Sequence, residues 1–142
     1  MIANVATAIT TKFNSTPDGD ALRSALTGGL FFMEAKWTDD VPVYPYAVFT
    51  WNGTNIDEIA GDRTNGVEIA AMTFSLYSNK DDGAVEIFSL EQLFIELYDW
   101  TELTYPAGEY THLVMQRTSE TNHGKIDNIR TIDLDYDVWY QH

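Results

Sequence analysis

Cysteine is missing from all 142 residues. Its absence excludes disulfides and thiolate chemistry and leaves the redox compartment unspecified. Cations are scarce: eight lysines and arginines face 22 acids, for a net charge of −14. The eight are scattered at Lys12, Arg23, Lys36, Arg63, Lys80, Arg117, Lys125 and Arg130. Without a basic stripe, a phosphate-tracking nucleic-acid binder is disfavoured. The three histidines, His112, His123 and His142, have no metal-ligand spacing. No apolar run approaches the ~18 residues of a membrane helix. Residues 1–4 lack the basic start and continuous apolar stretch of a secretory signal, so neither membrane nor secretion is expected. On that reading the sequons Asn14-Ser15-Thr16 and Asn52-Gly53-Thr54 are chance matches. There is no Gly-x-Ser-x-Gly elbow and no glycine-rich phosphate loop. With 22 acids, a pair at glycosidase spacing arises by chance and carries no information.

What remains is an ordinary globular composition, 44% hydrophobic and 21% charged, of a length that fits one domain over 1–142. Aromatics at 13% favour a sheet-rich core, because flat rings pack well on a pleated surface. The chain is organised around residues 68–100. Over 68–78 the side chains alternate: Ala70, Met72, Phe74 and Leu76 share one face and Thr73 and Ser75 the other. After a turn over 79–83 the period changes to that of a helix over 84–100. Its stripe is Ile87, Leu90, Phe94 and Leu97, widened by Val85, Leu93 and Tyr98.

Upstream, residues 2–13 predict an amphipathic helix with Ile2, Val5, Ile9 and Phe13 on one side. Pro17-Asp18-Gly19-Asp20 is a turn, and Asp18 or Asp20 is expected to cap a short helix over 21–26 that Gly28-Gly29 stops. Short strands are expected over 30–35 and, after an acidic loop over 37–41, over 46–51, where both faces are apolar and need cover from helix, loop or a second subunit. Residues 52–66 read as a polar loop between Asn52-Gly53 and Asn65-Gly66. Downstream, Tyr105-Pro106-Ala107-Gly108 is a turn, 110–118 a strand, and 119–128 a flexible hairpin loop. In the last strand Ile132, Leu134, Tyr136, Val138 and Tyr140 alternate with Asp133, Asp135, Asp137 and Trp139. The resulting class is α+β, a mostly antiparallel sheet of about five strands with helices on one face.

Asp133-x-Asp135-x-Asp137 invites a calcium reading, but Val138 stands where an EF-hand loop needs glycine and the chain ends before the twelfth position. Alternation with large apolar residues makes it a strand with one solvated face. No metal, cofactor or catalytic residue is assigned. The aromatics Trp37, Tyr44, Tyr46, Trp51, Trp100, Trp139 and Tyr140 cluster at strand ends and loops, which favours a protein interface over a ligand pocket.

The order of these pieces resembles the tail-terminator, or tail-completion, proteins of long-tailed bacteriophages. Three stretches carry the likeness. Tyr44-Pro45-Tyr46-Ala47-Val48-Phe49 is similar to the family's proline-aromatic lead into an apolar strand. Met72-Thr73-Phe74-Ser75-Leu76-Tyr77-Ser78 with the helix over 85–100 resembles its strand-then-helix centre. Arg130-Thr131-Ile132-Asp133-Leu134-Asp135-Tyr136-Asp137-Val138-Trp139-Tyr140 resembles its closing strand. The resemblance implies a non-enzymatic structural subunit of the virion tail, assembled in the host cytoplasm. It forms a ring, commonly a hexamer, that caps the tail tube and joins the head connector. Genome DNA passes through, and an acidic lumen repels it. On that reading Asp133, Asp135 and Asp137, or the acidic loops with Asp39, Asp40, Asp57 and Glu58, face the channel. Tyr46, Val48, Phe49, Trp51, Trp139 and Tyr140 serve subunit contacts, and 52–66 and 119–128 meet tube or connector. The alternatives are another head-to-tail connector or neck protein, a small acidic protein-binding module outside phage, and a metal-dependent enzyme built on the aspartate strand.

Overall fold

A computed structural model describes residues 2–15, 17–57, 67–103 and 112–141. In chain order these form α1 (Ile2–Asn14), α2 (Asp20–Ala25), β1 (Gly29–Phe32), β2 (Tyr46–Asp57), β3 (Val67–Ser78), α3 (Val85–Tyr98), β4 (His112–Ile126) and β5 (Ile129–Gln141). The strands make one five-stranded sheet in the order β1-β2-β3-β5-β4. β1 runs parallel to β2, and the other pairs are antiparallel. The architecture is therefore α+β with a mixed, mostly antiparallel sheet, as the alternation predicts.

The alternation of β3 and β5 decides where the core lies. Their register sets Met72 opposite Tyr136, Phe74 opposite Leu134 and Leu76 opposite Ile132, all buried. Phe49 of β2 stacks on Phe74, whose ring also meets Phe94, Tyr98 and Tyr136 at centroid distances of 5.1–5.5 Å. Ile87, Leu90, Phe94, Leu97 and Tyr98 of α3 bury as the stripe predicts, whereas Val85 is 63% exposed and lies off it. In α1, Val5, Ile9 and Phe13 are buried, and Ala6 and Ala8 beside them leave room for close approach. The Tyr98 hydroxyl donates to the Ile9 carbonyl at 2.9 Å and ties α3 to α1. Burial raises that phenol well above its ordinary range.

Two glycines let segments cross closely. A Cβ on Gly28 would sit 1.8 Å from the Val43 carbonyl oxygen, and one on Gly19 2.0 Å from that of Phe13. The helix cap expected of Asp18 or Asp20 is not made: α2 starts behind Gly19 without a side-chain cap. Asp18 instead pairs with Lys12, and Asp20 with Arg23. At α3 the Glu86 N–H donates to Asp82 Oδ2 at 3.0 Å, which supplies the missing acceptor for that helix start.

Two expected loops are corrected. The polar stretch from Asn52 belongs to β2 as far as Asp57, because Gly53–Asp57 pair with Val67–Ala71 across a bulge at Trp51/Gly53. Residues 58–66, including Glu58, lie outside the described residues, as does the expected turn at 105–108. Likewise 119–126 is strand: β4 pairs with β5 out to Ile126, through bulges at Arg117/Ser119 and Asn122/Gly124. The turn is the pair Asp127-Asn128, both at positive φ (52° and 65°), a conformation those residue types tolerate in tight hairpins. Both stretches look like loops because their side chains are polar on both faces; strand pairing, rather than hydrophobic burial, holds them. β1 is also shorter than expected, ending at Phe32.

Phe74→Ala removes the ring on which four others converge. It should lower unfolding free energy by about 3–5 kcal/mol, the usual range for emptying a fully buried aromatic site, as measured by urea denaturation.

Candidate assembly surface

With α1, α2 and α3 on the side of Phe74, the opposite face of the sheet carries no helix among the described residues. It divides into three zones. At the β1 end, Trp37 of the following loop packs edge-on against Phe31 and Tyr46, and Tyr46 stacks on Tyr77 at 4.7 Å. The Trp37 Nε1–H donates to the Gly28 carbonyl at 3.2 Å and holds the loop there. The cover expected over the second face of β2 is thus partly supplied by this loop. Burial, then the neighbouring Tyr44 and Tyr77, raises the Tyr46 phenol above its ordinary value.

The middle zone is a polar ladder across β2, β3, β5 and β4. Asn52 donates to the Thr73 hydroxyl at 2.7 Å, Thr73 to Asp135 Oδ1 at 2.6 Å, and Ser119 to Asp135 Oδ2 at 2.6 Å. One pleat along, Ser75 donates to Asp133 Oδ1 at 2.7 Å, and His123 Nε2 lies 2.7 Å from Asp133 Oδ2. Asp137 stands opposite Ala71, which has no donor. The three carboxylates therefore do share one half-buried face, with two of them held by neighbouring hydroxyls. Among the described residues, no group of three His, Asp or Glu is placed to hold a metal ion. The third zone is apolar: Ile69 faces Trp139, which is 40% exposed.

The remaining predicted site residues divide. Asp39 and Asp40 are exposed on the loop after β1, away from the ladder. Asp57 ends β2. Tyr46 and Val48 are half-buried on the open face, and Trp51 is exposed at the bulge. Phe49 and Tyr140 are buried under the helices and are withdrawn as subunit contacts, because their side chains are already enclosed within this chain.

Sequence reasoning missed the seam between α3 and β4. Arg117 lies 3.2 Å from Asp99 and 3.1 Å from Glu120, and the Tyr136 hydroxyl donates to Asp99. Across the seam Glu91 is pushed up to about 7, first by burial and then by Glu120 beside it, against a smaller opposing pull from Arg117. Nothing in the linear order signals this, since β4 returns to α3 through the sheet's connectivity.

The fold defined here is a helix-backed mixed sheet whose second face is partly covered, among the described residues, by the loop after β1, and whose β4 edge is partly paired by residues 100–102. Among solved structures, it is matched over its whole length by a chain from the virion of a native gene transfer agent particle. That alignment has a TM-score of 0.71 and 10% identity and covers 99% of this chain and 97% of that one. A second solved chain matches with a TM-score of 0.52 and 14% identity, covering 96% and 95%. At such identities the likeness is one of fold. No family model and no curated protein matches the sequence.

The Glu91 shift has a signed consequence. Between the ordinary value of 4.5 and about 7, the folded chain holds a proton that the unfolded chain releases. Stability therefore falls as pH rises through that window and stays lowered above it. Glu91→Gln should raise the melting temperature by a few degrees at pH 8 and leave it unchanged at pH 4. An equal change at both pH values in thermal melts would reject the assignment.

Proposed function

We propose that this chain is a structural subunit of a phage-like virion, acting as a tail terminator. Copies close into a ring, six in the family it resembles, that caps the tail tube and joins it to the head connector. The observation that carries this reading is the whole-length likeness of fold to a chain of the gene transfer agent virion. Three further features agree with it. The net charge of −14 repels a passing polyanion. Two of the three carboxylates of that face, Asp133 and Asp135, are held by hydroxyls of neighbouring strands. Exposed large apolar side chains are present on the edge strand β1 (Phe32), on the open face (Trp139) and on the outside of α3 (Phe88), surfaces available for subunit contacts.

In this reading Asp133, Asp135 and Asp137, with Asp39 and Asp40, set the negative potential of the lumen. The projecting end of the β4–β5 hairpin, with Ile126 exposed beside its turn, meets the tube or the connector. The protein is non-enzymatic, and genome DNA passes without specific binding.

The test is reconstitution with tail tubes, followed by electron microscopy and DNA-delivery assays. Wild-type protein should appear as rings on tube ends. A variant carrying Asp39→Lys, Asp40→Lys and Asp137→Lys should still fold and cap tails. It should also slow delivery by on the order of tenfold, because cations in the lumen hold phosphates. Unchanged delivery would reject the lumen assignment, and bare tube ends would reject the terminator reading.

A further inference from the structure

The sheet order leaves β1 at one end and β4 at the other, and each end carries features the subunit itself does not use. On the β4 side, the apolar surface of α3 extends past its buried stripe. Beyond its buried stripe, Phe88 is 50% exposed, and Ile95 shares its side of the helix. An apolar flank left exposed beside a buried stripe is a surface suited to a protein contact. Glu91 lies between these residues on the same helical face, with Glu120 of β4 against it. Arg117 is the nearest cation, and it already serves Asp99 and Glu120. This ridge is thus oily at both ends and short of a positive charge in the middle.

The β1 side is the converse. Phe32 is 37% and Met33 52% exposed, and Phe32 lines a groove of about 350 Å³ against Ala3, Ala6, Thr7 and Thr10 of α1. In the loop that follows, Lys36 is exposed and joins no ion pair among the described residues. One end of the chain offers an apolar ridge around a carboxyl pair, and the other an apolar groove with an exposed lysine in the loop four residues beyond Phe32.

We propose that the two ends bind each other in successive copies: the Phe88–Glu91–Ile95 ridge of one subunit seats against the Phe32–Lys36 end of the next, with Lys36 at Glu91 and Glu120. The contact is heterologous, using unlike patches at opposite edges of one sheet, so it propagates head to tail and closes when the rotation allows. It deepens the ring reading above and rests on it for the closed state. The raised Glu91 agrees with it, since a carboxyl that keeps its proton for want of a cation is one that an incoming ammonium would ionise. A partner of different sequence would need no complement on this chain; the presence of both halves on one chain favours a second copy.

The experiment is sedimentation velocity and native mass spectrometry on the full chain and two surface variants, Lys36→Glu and Phe88→Asp, each checked for native circular dichroism. Wild type should form oligomers larger than dimers, and each variant alone should be monomeric, with association weakened at least about tenfold, 1.4 kcal/mol. Mixed, the two variants should form a 1:1 dimer and nothing larger, because each supplies the one intact end the other lacks. Lys36→Glu combined with Glu91→Lys in one chain should restore oligomers. Variants that assemble like wild type would overturn these surfaces and leave the ring reading standing. A mixture that stays monomeric would overturn the head-to-tail geometry. Wild type that stays monomeric up to ~1 mM, the range of the weakest specific contacts, would overturn this proposal and the ring reading together.

Discussion

The register between β3 and β5 is the constraint on which the other features depend. Phe74 opposite Leu134 and Thr73 opposite Asp135 are successive rungs of one ladder. Because side chains alternate, a slip of β5 by one residue would exchange its two faces. It would bring Asp133, Asp135 and Asp137 under α3 and turn Leu134, Tyr136 and Val138 out to water. Burying three ionised carboxylates without partners is far more costly than any rearrangement of loops could offset. The apolar rungs and the acidic rungs thus specify the same register from opposite sides.

That register also explains why the acidic face tolerates its own charge. Carboxylates at alternate positions of a strand lie roughly 7 Å apart, about the Debye length at physiological salt, so their mutual repulsion is only partly screened. Thr73 and Ser75 of β3 point at the same face as the aspartates opposite them, and each donates to one. Hydrogen bonds from neutral donors stabilise an ionised acceptor without neutralising it. Asp133 and Asp135 are thereby fixed in position on that face. This suits a surface that must repel a polyanion at a distance, and it differs from an acidic loop, whose charges are free to pair with any passing cation.

The parts of the fold legible in the sequence are those where burial and period coincide. β3, β5, the buried stripe of α3 and the buried side of α1 all follow from Ala70-x-Met72-x-Phe74-x-Leu76, Ile132-x-Leu134-x-Tyr136-x-Val138, and apolar residues three and four apart. The second half of β2 and the outer half of β4 did not, because Thr54, Asn55, Thr121 and Asn122 carry no apolar alternation and become strand by pairing with segments far along the chain. The acids of the open face could be named from β5 alone. Their donors could not, since Thr73 and Ser75 lie 62 and 58 residues from the aspartates they serve. Phe49 and Tyr140 were read as contact residues from their chemistry, yet a strand's large apolar residue is drawn first to its own core.

A charge of −14 sets a condition on any self-association of this chain. Identical subunits repel one another at long range, so encounter is slow at low ionic strength, and the attraction must come from short-range contact. Apolar area meets that condition because its contribution does not depend on sign. A single lysine placed in a carboxyl pair meets it locally, where the separation is far below the Debye length. In the contact proposed above, the exposed Phe88, Phe32 and Met33 would supply the first kind of contact, and Lys36 with Glu91 and Glu120 the second. Elsewhere the surface stays acidic, which disfavours wrong registers between copies and gives specificity by repulsion. On the reading proposed above, the excess of carboxylates that would keep DNA from adhering would also restrict how the subunits meet, so one compositional bias would serve both the conduit and its assembly.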